Sequence, residues 1–262
     1  MARIVAILLS VAALLGPGPA AAQGFDHTHK AWDGLLKKHV VLLPGGTASQ
    51  VRYAEFAKDR PALKVYLDSV SKVTDAEFSA WTKPQRMAFL INAYNAFTVE
   101  KILTRYPDLK SIKDFGTVFG NPWKDKFFKL FGREAYLDQI EHETLRKPGA
   151  YDEPRVHYGV NCASIGCPML REEAFTADKL DRQLEEQAVR FLSDRSRNRF
   201  DNGKLELSKI YDWFKEDFGA REQYFAKYAK LLAGTPDGQS LVAGGKAPLA
   251  FLDYDWRLND AR

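Results

Sequence analysis

The stretch from Pro84 to Tyr106, PQRMAFLINAYNAFTVEKILTRY, limits the fold more than any other part of the chain. Proline suits the first turn of a helix, and Pro107 cannot continue one, so the run reads as a single helix with both ends marked. Its apolar residues occupy nearly the whole circumference. Such a helix must be enclosed by other elements rather than laid on a surface. It also carries Asn92 and Asn95, whose spacing of three puts both amides on one face. Buried amides require partners. Either they bond to neighbouring backbone and fix packing, or one of them orients an imidazole as the third member of a catalytic group.

The flanking segments supply material to cover that helix. His29 to Leu43 reads as a helix ended by Pro44-Gly45-Gly46, and Tyr53 to Val73 as helix interrupted at Pro61. Thr74-Asp75-Ala76-Glu77 has the capping-box pattern, and Asp138 is placed to cap a short helix carrying Glu141 and His142. Asp114 to Phe131 reads as a loop and then a strand. Arg155 to Val160 alternates in the manner of a strand, Thr176 to Leu192 is an amphipathic helix, and Arg199 to Leu207 is a hairpin about Asn202-Gly203. Helices resume from Lys209 to about Ala233, and Leu249 to Trp256 reads as a terminal strand. The expected class is α+β: a helix-rich single domain with a small β-sheet.

Residues 1–22 are set apart. Arg3, the apolar run Ile4–Leu15 and the small residues Ala20-Ala21-Ala22 follow the order of a cleaved signal peptide. The run is too short to span a bilayer, which takes about 20 residues. The expectation is therefore a globular domain over 23–262, periplasmic or secreted, with no stable membrane anchor after signal cleavage. The formal net charge of +4 is spread among alternating acids and bases, which argues against a nucleic-acid partner. The expected ligand is a small molecule or a peptide. No cofactor and no metal is expected.

The concentrated chemistry lies between Arg155 and Pro168. The chain has two cysteines, Cys162 and Cys167, and His157 stands five residues before the first of them. Imidazole beside thiol favours the thiolate, which is the nucleophile in cysteine chemistry. One reading is a thiol-dependent hydrolase or acyl transferase, with Cys162 as nucleophile, His157 as general base, and His142 or Asn95 as orienting group. Asn92, Asn161 and Ser164 would line the pocket. A second is a Cys162–Cys167 disulfide, either stiffening a non-catalytic binding module or labile in thiol–disulfide exchange. A third, zinc held by His142, His157, Cys162 and Cys167, matches no short zinc spacing. The acid–aromatic pairs Asp212-Trp213 and Asp253-Tyr254-Asp255-Trp256 are expected to be core packing in preference to catalytic groups, and Trp123 to Phe128 a half-buried strand in preference to a pocket mouth.

Several stretches together carry a family resemblance. They are FLINAYNAF (89–97), WKDKFF (123–128), IEHETLR (140–146), RVHYGVNCASIGCP (155–168), LSKIYDW (207–213) and LDYDWRLN (252–259). With them the chain resembles an exported bacterial member of the domain of unknown function 547 family, with the family-like core at about 80–195. The resemblance implies a fold and a site at the His and Cys positions. It implies no reaction.

Overall fold

The computed structural model describes residues 24–116 and 120–261; the expected signal peptide lies outside them. Among the described residues there are eleven α-helices and three small sheets, two of two strands and one of three, which is the α+β class. No helix among them is long and apolar enough to cross a membrane.

The central helix is Lys83–Leu103. Thr82 and Gln85 close its N-terminus as a reciprocal capping box, with the Thr82 amide donating to Gln85 Oε1 at 2.9 Å. Every residue from Met87 to Leu103 is buried. Even the two charges in that span are matched: Glu100 accepts two bonds from Arg60, at 2.8 and 3.1 Å, and Lys101 reaches Asp125 at 2.9 Å. Around this helix pack Lys30–His39, Arg60–Lys72, the hairpin Phe128–Leu130/Arg133–Ala135 and a π-helical segment, Gln139–Leu145. A second apolar cluster gathers on the helix Leu180–Ser193 and includes Leu205, Tyr211, Phe225 and Leu232. Beside it lies the sheet of Arg199–Asp201, Lys204–Leu207 and Leu249–Phe251, the last pair parallel. The hairpin turns at Asn202 and Gly203, both with positive φ (46° and 75°), as a type I′ turn requires.

Some expected elements are different in the structure. The helix opening at Lys30 ends at His39, and Val40–Leu42 pairs as a strand with Ser49–Val51. Pro61 sits in the first turn of Arg60–Lys72 and starts that helix instead of interrupting it. The terminal strand is confined to Leu249–Phe251, and an additional helix, Pro236–Ala243, is capped by Thr235. The most consequential correction concerns Arg155–Val160. It is not a strand: Val156–Gly159 is a single helical turn, buried on all sides. The alternation of Val156, Tyr158 and Val160 misleads because His157, between them, is only 4% exposed as well. With both faces buried, a period of two selects nothing.

The two amides of the central helix explain how this turn is held. Asn95 donates to Gly159 O at 2.8 Å and accepts from the Asn161 amide at 2.8 Å. Asn92 donates to Phe175 O at 2.7 Å and accepts from the Phe175 amide at 3.0 Å. Each side chain stands in for the strand partner that the passing backbone lacks. Asn95→Leu keeps the volume but leaves two buried backbone groups unpaired. Unfolding by urea should show a loss of about 2–4 kcal/mol, whereas exposed Val65→Thr should stay within about 0.5 kcal/mol.

Candidate active site

The segment after the helical turn is a loop tied down at nearly every residue. Asn161 accepts from the Ala163 amide at 2.9 Å and donates to Pro168 O at 2.8 Å, so its side chain spans the loop from within. Ala163 is thereby held at φ 62°, in the left-handed region that alanine seldom occupies. The C-terminal segment closes the other side: the Ile165 amide bonds Arg257 O at 2.9 Å and the Gly166 amide bonds Asp255 O at 2.8 Å. Gly166 is required there, because a Cβ would lie 3.0 Å from the Tyr254 ring and from the Asp255 nitrogen.

This loop brings its two sulfurs together. Both cysteines are free thiols. The Cys162 amide donates to Cys167 Sγ at 3.1 Å. Cys162 Sγ lies 3.2 Å from Ser164 Oγ and 3.3 Å from Tyr254 Oη, and those two hydroxyls are 2.9 Å apart. Burial works against a thiolate on Cys167. The Cys162 thiol, the Tyr254 hydroxyl, the Cys162 amide and Ser164 outweigh it, and bring Cys167 down to about 7. Cys162, donating to its neighbour and desolvated, is pushed up. The negative charge of the pair thus belongs on Cys167, whereas the sequence alone had singled out Cys162. Burial and the nearby thiols also raise the Tyr254 hydroxyl, which keeps its proton and serves as a donor.

Both thiols open onto a pocket of about 200 Å³. Tyr94, Asp138, Glu141 and His142 form one wall; Trp123, Trp213, Phe214, Tyr254 and Trp256 form the aromatic remainder. The expected core aromatics Trp213, Tyr254 and Trp256 are therefore pocket walls, with Trp213 40% exposed. Trp123 also faces the pocket, and of the expected strand from Trp123 to Phe128 only Phe128 lies in one, Phe128–Leu130. Among the described residues no group of three or more His, Cys, Asp or Glu is arranged to hold a metal.

The other sequence candidates are distributed unevenly. His142 reaches the pocket, but its Nδ1 accepts from Arg146 Nη1 at 2.8 Å, so the ring proton sits on Nε2, 3.5 Å from Asp138 Oδ1. His157 does not line the pocket. Its Nε2 bonds Asp217 Oδ2 at 2.6 Å, its Nδ1 is 3.9 Å from Glu141 Oε1, and its ring stacks on Phe214 with centroids 4.4 Å apart. Ser164 bonds a sulfur, whereas Asn92, Asn95 and Asn161 bind backbone and position the loop. Asp217 had no signal in the sequence beyond its residue type; Tyr94 and Tyr254 lay in family-like stretches and Asp138 at an expected helix cap, but none of these was expected at the site. They reach the site from segments distant in the chain.

Residues 78–192 match the model of the family described as "Protein of unknown function, DUF547", so the chain carries a domain of that family. No curated protein and no solved structure matches it.

Asp217 ties His157 to Arg146. Burial opposes its ionisation, but hydrogen bonds from His157 and Arg146 prevail and bring the carboxyl down to about 2. A depressed folded-state value stabilises the protein at pH above the ordinary carboxyl range near 3.8, and that contribution disappears as pH falls toward about 2. Asp217→Asn should therefore lower the melting temperature at neutral pH, with the gap to wild type narrowing between about pH 4 and 2.

Proposed function

We propose that the protein acts in thiol–disulfide exchange, with Cys167 as attacking thiolate and Cys162 as resolving thiol. The observation that carries this reading is the short contact from the Cys162 amide to Cys167 Sγ, with both sulfurs facing one open pocket. An attacking thiol works best when its pKa lies near ambient pH, and Cys167 is brought to about 7. Its thiolate attacks one sulfur of a substrate disulfide, forming a mixed disulfide and releasing the other half as a thiolate. Cys162 then attacks Cys167 Sγ. Its proton passes to the departing second half, and Ser164 and Tyr254 steady the Cys162 sulfur by hydrogen bonds. The protein pair is oxidised by two electrons and the substrate is reduced to two thiols. Two equivalents of a small thiol reverse the change on the protein. The expected signal peptide would place this chemistry in an oxidising compartment, where a reversible dithiol has work to do.

Acyl transfer through Cys162 has less geometric support. Neither imidazole offers a lone pair to the sulfur, since His157 faces Asp217 and Glu141 and the free nitrogen of His142 is occupied by Arg146.

Two measurements test the exchange reading. Iodoacetamide labelling of Cys167 should rise with a midpoint near pH 7, and Cys162→Ala, which removes a donor to that sulfur, should move the midpoint upward. Mixing reduced protein with 2-hydroxyethyl disulfide should give an intramolecular Cys162–Cys167 bond in wild type and a trapped mixed disulfide on Cys167 in Cys162→Ser. Labelling confined to Cys162, or no reaction at either sulfur, would overturn the assignment.

A further inference from the structure

The pocket above the thiols pairs aromatic faces with two buried carboxylates, and no lysine or arginine is among the described residues that line it. We infer that it selects a small disulfide or thiol bearing an ammonium group; this rests on the exchange reading for its chemistry and names the substrate class. Asp138 and Glu141 are each 7% exposed and both face the pocket. Buried carboxylates without a full counter-charge are costly, and the fixed charges nearby do not supply one. Arg146 is matched by Asp217, to which it gives two bonds. Asp138 has Asn121 Nδ2 at 3.2 Å and His142 Nε2 at 3.5 Å, with Lys124 acting on it from outside the lining. Glu141 has the Tyr94 hydroxyl and, at 3.9 Å, His157 Nδ1. Burial, and with it the charge of Glu141, raises the Asp138 carboxyl against the opposing pull of His142 and Lys124.

The aromatic side points to the same ligand. Trp213 and Trp256 stack with centroids 5.6 Å apart, and Tyr254 meets both at 4.9 and 4.5 Å. Indole faces attract cations most strongly among side chains. The structure already contains one such contact, the exposed Lys113 ammonium 3.7 Å from the Trp256 ring centroid. A cation held by Trp213, Glu141 and Asp138 would occupy the same pocket onto which Cys162 and Cys167 open. The size of the pocket suits a small molecule, not a folded protein.

The test compares three disulfides on the reduced full chain: cystamine (two ammonium groups), 2-hydroxyethyl disulfide (neutral) and 3,3′-dithiodipropionate (two carboxylates). In single turnover each oxidises the protein pair and releases two small thiols. Each rate is divided by the rate with free 2-mercaptoethanol, to remove intrinsic reactivity. Cystamine should then exceed the neutral compound by about tenfold, with the dianion slowest. Glu141→Gln and Asp138→Asn should each erase most of that ratio. Independently of thiol chemistry, tetramethylammonium should quench tryptophan fluorescence of the wild-type protein saturably, less so in 0.5 M salt. Exchange that proceeds with equal normalised rates, or faster with the dianion, overturns the cation preference and leaves the exchange reading intact. Saturable ammonium binding without reaction toward any disulfide overturns exchange and keeps the cation site. Absence of both overturns both.

Discussion

The site depends on one buried amide. Asn95 presents a donor and an acceptor from the middle of the central helix, and the backbone on either side of Val160 takes both. A peptide segment crossing an apolar helix without a strand beside it would leave polar groups unpaired in hydrocarbon, so the amide determines where the chain can cross. Once Gly159 and Asn161 are fixed, the sulfur two peptide bonds beyond Val160 has little freedom. Asn161 then repeats the device within the loop, and the backbone N–H of Asn259 ties the C-terminal segment to it by donating to Ala163 O.

This scaffolding bears on the chemistry. A reactive thiol pair needs sulfurs that are close but still able to separate, and donors that favour one anion. The strained Ala163 and the close approach of Tyr254 to Gly166 hold the loop in a conformation that it would not take alone. The donors to Cys167 are the backbone and thiol of its own neighbour, together with two hydroxyls. They acidify it without a cation in the pocket. With no lysine or arginine among the described residues that line the pocket, its carboxylates and indole rings are free to serve the proposed recognition of a cation.

His157 shows how a sequence motif can carry structure instead of chemistry. Its adjacency to Cys162 suggested a base and a nucleophile. A strand would have sent alternate side chains to opposite faces, but a helical turn sends His157 away from the sulfur and into a buried network with Asp217, Arg146 and Glu141. The network locks the Gln139–Leu145 segment to the C-terminal half of the chain, and this holds Glu141 and His142 on the pocket wall.

Read alone, the sequence determined the buried central helix, the α+β class, the I′ hairpin and the loop that carries both cysteines. These follow from local rules: proline and cap positions, all-round apolarity, turn chemistry and small residues. It also left both roles of the asparagines open, and the bonds they make resolved that choice. Only the tertiary structure decided that Val156–Gly159 is helical, that Cys167 carries the lower pKa, and that Tyr254, Trp213 and Asp138 share one cavity with it. The reason is physical. Conformation in a segment buried on both faces, and charge on a thiol, are set by groups arriving from distant parts of the chain. Tyr254 lies 92 residues from Cys162, and no periodicity or spacing encodes that meeting.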